Sequence, residues 1–364
     1  MKFTIVKSKF VEGLKSVQNI ILSKVTVPVL QNVRLDAAGG TLKLTSTDLD
    51  TTITCEVECE VQEPGATTLP AKILFNMVSC AAEGPVEVSV GEGECASIRA
   101  GSANYKLVGI NESTFPRLPQ TEGMYSYSID QFVLKEMLRK TCYAASQDET
   151  RRTLRGLLMS FKDEKLTLVA TDGRRLALVE KEMEFAKEAE RDIILPSRLV
   201  QELQRSLGGE GKVSISGQGS QICFDIGKIK IYSKLIDDVY PNYTQVIPVS
   251  CQHKICVDRQ QIMAALERVS VMAMGEIHST KLKFSDNILV VTSGVSNIGE
   301  AKDEVAIKFG GPEIETIFNP AYIIDALKAI DDDEVVFHLN DGNSPVVISC
   351  SIPFIYLIMP LRVS

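Results

Sequence analysis

The chain has 364 residues, 45% of them hydrophobic and 24% charged, with a formal net charge of −8. Such proportions belong to an ordinary globular protein with room for roughly two or three domains. No apolar run approaches the roughly 20 residues that cross a bilayer, and the acid excess by itself argues against nucleic acid, whose binding runs on Lys and Arg displacing counterions from phosphate.

In chain order, MKFTIVKSKF is charged and alternating, the pattern of a strand entering a helix rather than of a secretory leader, so the expected location is the cytoplasm. A helix follows over Phe10, Leu14 and Val17, then strands around TLKLTSTDL with Gly39-Gly40 as their turn. Pro70 then opens a second helix, with Ile73, Leu74 and Met77 expected on its inner face.

The whole series then recurs. Ile129, Leu134, Leu138 and Thr141 repeat Ile5, Phe10, Leu14 and Val17, and Val257, Ile262, Leu266 and Val269 repeat them again. Leu166, Leu168 and Asp172 repeat Leu42, Leu44 and Asp48, with Ile288 and Val290 as the expected third copy. Pro196 (Leu199, Val200, Leu203) and Pro320 (Ile323, Ile324, Leu327) repeat Pro70. The interval of about 125 residues is too long for a solenoid unit, so each copy is read as a domain. The expected domains are 1–119, 120–247 and 248–364, joined at FPRLPQTEGM and TQVIPVSCQHK. The fold class is α+β: three tandem similar domains, each with two helices packed on antiparallel sheet.

Chemistry-bearing constellations are sparse. The nine cysteines form no CxxC pair and are expected to be buried free thiols of a reducing compartment. His253, His278 and His338 stand apart from one another, so no metal or cofactor is expected. The runs Gly208 to Gly211 and Gly217-Gln218-Gly219 lack the context of a phosphate loop and are expected to be hairpin turns. Asp331 to Glu334 lacks the calcium-loop pattern and is expected to be a helix-to-strand connection. No nucleophile-and-base pair has diagnostic spacing, so the protein is not expected to be an enzyme.

The repeated helices carry Lys9, Lys15, Lys72, Lys135, Arg139, Lys140, Arg198, Arg205, Arg259, Arg268 and Lys328, while acids gather in CEVECEVQE, EKEMEFAKEAERD and DDDE. Two readings stay open: ordinary solvated helix faces, or one basic face beneath an acidic exterior. Two further segments stand out, the hairpin Thr171 to Leu176 and the terminal YLIMPLRVS. The second reads as an edge strand from which Met359, Pro360 and Leu361 emerge as an adaptable apolar wall. An uncharacterised enzyme on a triplicated scaffold and a cytoplasmic peptide-binding adaptor without a DNA role are the readings these features leave.

The MKFTI start, Thr26-Val27-Pro28-Val29-Leu30, Ser46-Thr47-Asp48-Leu49, Pro64-Gly65-Ala66, Ala170 to Leu176, Tyr240-Pro241-Asn242-Tyr243, Asn319-Pro320-Ala321-Tyr322 and Met359-Pro360-Leu361-Arg362, in that order, resemble the bacterial sliding clamp family, the beta subunit of DNA polymerase III. The resemblance covers the whole length. It implies a crescent that dimerises head to tail into a closed ring around duplex DNA, held by topology and without sequence specificity. Twelve helices about 10 Å apart would line a hole roughly 28 Å across.

Carried over by residue, it implies DNA-facing positions at Lys24, Gln147, Arg151, Arg152 and Arg198. It implies a groove for short linear peptides at Leu154, Thr171, Gly173, Arg174, Arg175, Leu176, Pro241, Val246, Asn319, Tyr322, Pro345, Ile358, Met359, Pro360, Leu361 and Arg362. The implied partners there are the DNA polymerase III alpha subunit, the clamp loader delta subunit, and other DNA polymerases and repair proteins. The homodimer joint would set the edge strand with Arg99, Tyr105, Lys106 and Leu107 against Val271, Met272, Glu300, Asp303 and Glu304. Thr153, Arg174 and Gln245 depart from residues common in the family, which bears on the peptide preferred.

Overall fold

The computed structural model describes residues 1–21, 26–118, 125–273, 279–295 and 298–361; Lys24, His278 and Arg362 lie outside them. The first copy runs β1 (Lys2–Val6), α1 (Lys7–Val17), β2 (Asn32–Ala38), β3 (Thr41–Thr47), β4 (Thr51–Glu58), β5 (Glu60–Glu63), β6 (Gly65–Pro70), α2 (Ala71–Cys80), β7 (Pro85–Val90), β8 (Cys95–Ala100) and β9 (Ala103–Val108). The second runs β10 (Tyr125–Asp130), α3 (Gln131–Thr141), β11 (Gly156–Lys162), β12 (Lys165–Thr171), β13 (Arg175–Glu182), β14 (Arg191–Pro196), α4 (Ser197–Ser206), β15 (Lys212–Gln218), β16 (Gln221–Asp225) and β17 (Ile229–Lys234). The third runs β18 (His253–Asp258), α5 (Arg259–Ser270), β19 (Thr280–Ser285), β20 (Ile288–Val295), β21 (Gly299–Ala306), β22 (Ile314–Phe318), α6 (Pro320–Ala329), β23 (Glu334–Leu339), β24 (Val346–Ser349) and β25 (Phe354–Ile358). Apart from β5, the three copies share one order of elements.

Local chemistry explains the punctuation. Gly39 and Gly40 both take positive φ, 57° and 82°, in the two-residue turn from β2 to β3, a geometry that costs glycine nothing. At α5, Asp258 accepts from the Gln261 N–H at 2.8 Å, and at α6, Asn319 accepts from Ala321 at 3.0 Å with Pro320 in the first turn.

The core follows the repeated pattern. Ile5, Phe10, Leu14, Val17 and their counterparts in both later copies are all buried. Two expectations need correction. In the third copy the inward residues are Leu289 and Val291, while Ile288 is exposed. A one-residue slip inverts a strand's two faces, and the β20–β21 register settles it by setting Leu289 opposite Val305. On α2 the buried positions are Ala71, Leu74 and Val78, leaving Ile73 exposed. A helix of ten residues tolerates such a rotation because only about a third of its circumference must be apolar.

Other expectations also change. Gly208 to Gly211 join α4 to β15 and are not a hairpin turn. Only Cys55 and Cys223 are buried, whereas Cys80, which ends α2, and Cys256 on β18 are exposed; a strand faces inward only at alternate positions, and beside Cys256 these are taken by Ile255 and Val257.

The strands assemble into four sheets, ordered β5-β1-β7-β8-β9, β10-β15-β16-β17-β4-β3-β2-β6, β14-β11-β12-β13-β25-β24-β23-β18, and β21-β20-β19-β22. The two eight-stranded sheets cross copies by one rule. The last strand of a copy pairs antiparallel with the fourth strand of the copy before it: β17 with β4, and β25 with β13. Two compact units result, Met1–Lys135 with Gln201–Leu235, and Glu136–Val200 with Ile236–Ser364. In the first, α1 packs on β3 and β4 beside α2; in the second, α5 packs on β20 and β21 beside α6.

Candidate functional site: an apolar floor under a hairpin and a threaded tail

In the second unit, the β12–β13 hairpin turns through Asp172, Gly173 and Arg174. Gly173 holds φ at 87°, a value costly for a residue with a Cβ. Asp172 makes the turn rigid, since one carboxylate oxygen accepts from the N–H groups of Arg174 at 2.8 Å and Arg175 at 3.0 Å. Thr171 adds to it, its hydroxyl donating to the Arg175 carbonyl at 2.6 Å and accepting from Gly173.

β25 lies beside β13, with Ile358 opposite Arg175 and Leu357 opposite Leu176. The tail leaves that strand under control, Met359 donating its N–H to the Arg174 carbonyl at 2.8 Å and Leu361 donating to Ile317 at 2.7 Å. Beneath lies an apolar cluster of Leu158, Val169, Leu176, Leu178, Ile194, Val347 and Leu357, against which Ile236, Tyr240, Tyr243 and Ile247 pack. Burial pushes the Tyr240 hydroxyl well above the usual tyrosine range, so it stays a neutral donor at neutral pH. Around this floor Arg174, Pro241, Val246 and Met359 are exposed.

Arg175 is bonded within the chain. Its side chain is only 10% exposed, and its nitrogens donate to Asp172 at 3.0 Å, to Asp325 on α6 at 2.7 Å and to the Tyr143 carbonyl at 2.7 Å. Its guanidinium carbon stands 4.4 Å from the centre of the Tyr322 ring. The Tyr356 hydroxyl donates to the Tyr322 carbonyl at 2.8 Å, and burial holds that hydroxyl neutral. Arg175 and Tyr322 are both half-buried and packed against each other. Asp172, Asp325, Tyr143 and Tyr356 were absent from the sequence-derived set. Asp172 and Tyr356 lie in the hairpin and the tail that stand out in the sequence, whereas nothing in the linear pattern marks Asp325 or Tyr143.

The remaining positions fall as follows. Leu154 is half-buried, its carbonyl accepting from Ser146; Asn319 caps α6 and Pro345 leads into β24. Gln147, Arg151 and Arg152 share one exposed loop, in which Arg151 contacts Asp148 at 3.5 Å and donates to the Asp172 carbonyl at 3.1 Å. Arg198 sits half-buried in the first turn of α4. Tyr105, Lys106 and Leu107 lie on β9 and Glu300, Asp303 and Glu304 on β21, both sheet edges, while Val271 and Met272 follow α5. Arg99 belongs to the neighbouring β8, not to the edge strand.

Part of the basic helix charge is paired with acids within the chain. Lys9 pairs with Glu58, Arg139 with Glu136 and Asp331, Arg205 with Glu202, Arg268 with Asp303 and Lys328 with Glu267. Lys135 and Arg259 donate to backbone carbonyls. Two of these acids, Glu136 and Glu202, stand one turn away from their cations on the same helix.

The described residues thus form a triplicated α+β scaffold that carries an apolar floor beside the Thr171 to Leu176 hairpin. The chain matches the DNA polymerase III beta subunit N-terminal domain over residues 1–119, the central domain over 128–242 and the C-terminal domain over 244–362. It is 32% identical to the beta sliding clamp of Synechococcus elongatus over 372 residues, covering 100% of this chain and 99% of that protein. A crystal structure of the sliding clamp of Pseudomonas aeruginosa bound to griselimycin matches with TM-score 0.96 at 29% identity, and one from Bartonella birtlesii, also bound to griselimycin, with 0.95 at 32%; both cover 100% of each chain. The chain belongs to the DNA polymerase III beta subunit family, the sliding clamps of DNA replication. Its function is that of a polymerase processivity factor, and neither the enzyme nor the DNA-free adaptor is favoured.

Proposed function

We propose that two copies close head to tail into a ring that encircles duplex DNA, with the boundaries 1–119, 120–247 and 248–364 marking the three domains of each. The observation that carries this is the interlocking rule of the sheets. The fourth strand of copy one takes the last strand of copy two, and that of copy two takes the last strand of copy three. The strands left over are β21, the fourth of copy three, and β9, the last of copy one; each ends its sheet among the described residues. Joining β9 of one protomer to β21 of another repeats the rule a third time and removes two open edges.

The register can be carried over as well. Through their neighbours in the sheets, Tyr105 corresponds to Ile231 and Tyr356, and Ala301 to Ile53 and Ala177. Since Ile231 faces Ile53 and Tyr356 faces Ala177, Tyr105 would face Ala301 of the partner subunit, setting Lys106 opposite the partner's Glu300. Opposite charges at that position favour the head-to-tail direction.

The ring holds DNA by enclosure, with Lys24, Gln147, Arg151, Arg152 and Arg198 supplying screened attraction to phosphate and no base readout. The hairpin, tail and apolar floor receive extended peptides with a hydrophobic anchor. The partners are the polymerase III alpha subunit, the loader delta subunit and other polymerases and repair proteins, all in the cytoplasm. The protein itself performs no catalysis.

Two measurements test this. Light scattering should give about twice the protomer mass of 39.9 kDa, and clamps loaded on nicked circular DNA should be retained until the circle is linearised. A strict monomer at high concentration, or equal retention on circular and linear DNA, would refute the ring.

A further inference from the structure

We propose that Asp325, which no sequence motif marks, is a positioning residue for the peptide-docking surface, acting through Arg175. The inference rests on the docking reading above and deepens it.

A contiguous chain of bonds runs from α6 to the exit of the tail. Asp325 accepts from one Arg175 terminal nitrogen at 2.7 Å, and Arg175 donates from Nε to Asp172 at 3.0 Å. The other Asp172 oxygen fixes the N–H groups of Arg174 and Arg175, and the Arg174 carbonyl takes the N–H of Met359 at 2.8 Å. Every link is a hydrogen bond of ordinary length, and the arginine at its centre is nearly excluded from water. A planar guanidinium with donors in a fixed fork transmits orientation as well as charge. Asp325 supplies the anchor on the helix, Asp172 the anchor in the turn, and Arg175 sets the angle between them. The orientation of the Arg174 and Met359 side chains at the surface follows from that angle.

Arg175 has little capacity left for a ligand. Its Nε and both terminal nitrogens donate within the chain, and the Tyr322 ring covers one face of the guanidinium. The site therefore depends on a carboxylate that need not touch the peptide at all.

The test uses the full-length protein and a fluorescein-labelled synthetic pentapeptide carrying a glutamine, one acidic residue and leucine and phenylalanine anchors. Asp325→Asn and Arg175→Lys should each weaken binding by about tenfold, and the double variant by no more than either alone, because both cut the same chain. Asp325→Glu should recover much of the loss, and protomer association by light scattering should be unchanged in all four. Multiplied losses in the double variant would mean that the two residues act independently, with Arg175 touching the peptide directly, and would overturn the proposal. Wild-type binding with Asp325→Asn unaffected would overturn the positioning role alone; a wild-type protein that ignores the peptide would remove the docking reading and this proposal with it.

Discussion

Met359 and Lys234 make the same bond in different units: Met359 donates its backbone N–H to Arg174 at 2.8 Å, and Lys234 donates to Asp50 at 2.9 Å. At the first position a flexible thioether stands 39% exposed beside an apolar floor. At the second, the lysine side chain closes an ion pair with Asp50 at 3.0 Å. Equivalent backbone therefore presents adaptable apolar surface in one unit and a salt bridge in the other. Met359→Ala should cost peptide binding about 2 kcal/mol, the scale of a buried anchor. Lys234→Ala, which removes an exposed pair, should leave it unchanged. Fluorescence titration of both variants decides the matter, and equal effects would refute the distinction.

The proposed joint between protomers makes a charge-swap prediction. Lys106→Glu should shift the protein toward monomer, since it would set two acids face to face across a strand pair. Adding Glu300→Lys should restore dimer. Sedimentation at micromolar concentration reads the outcome, and a double variant no more dimeric than Lys106→Glu would show that the two residues are not opposed.

The Tyr143 hydroxyl is sequestered with no hydrogen-bond partner among the described residues, and burial pushes it well above the usual tyrosine range. An unsatisfied buried hydroxyl costs about 1 to 3 kcal/mol. Tyr143→Phe should hold stability or raise it by about 1 kcal/mol, because the ring contact with Tyr356 at 5.7 Å between centroids survives. Urea denaturation gives the answer, and a loss above about 1 kcal/mol would reveal a role for the oxygen.

Acid should expose the pair on α3. The Arg139 guanidinium, donating to Glu136, holds that carboxyl below the usual glutamate range. Because the folded pKa lies below the unfolded one, near about 4.3, the pair contributes fully above the unfolded value and fades as pH falls through the folded one. Glu136→Gln should thus be less stable than wild type at neutral pH, and the gap should start to close as pH falls below the unfolded value of about 4.3. Denaturation midpoints of both proteins from pH 7 to 3 test this, and a constant gap would count against the linkage.

Much of the fold was legible because its signals are local. Phe10, Leu14 and Val17 recur with helical spacing, and their burial needs only one face against a sheet. The third copy shows where such reading stops. NILVVTSG offers apolar residues on both faces, so Ile288 and Leu289 are equivalent by type, and only pairing with β21 chooses between them. The site was half legible: the Asp172 turn and the tail stood out by composition, while the turn of Arg175 toward α6 depended on Asp325, Tyr143 and Tyr322 arriving together from distant parts of the chain.

From the sequence alone came the triplication, the order of strands and helices within each copy, and most of the inward-facing residues, because periodicity and turn chemistry act over a few residues at a time. Tertiary structure alone decided that β17 should join β4 and β25 should join β13, and which helix cations would be neutralised. Any open strand edge offers the same backbone donors and acceptors, so the partner is chosen by long-range packing that no local pattern encodes.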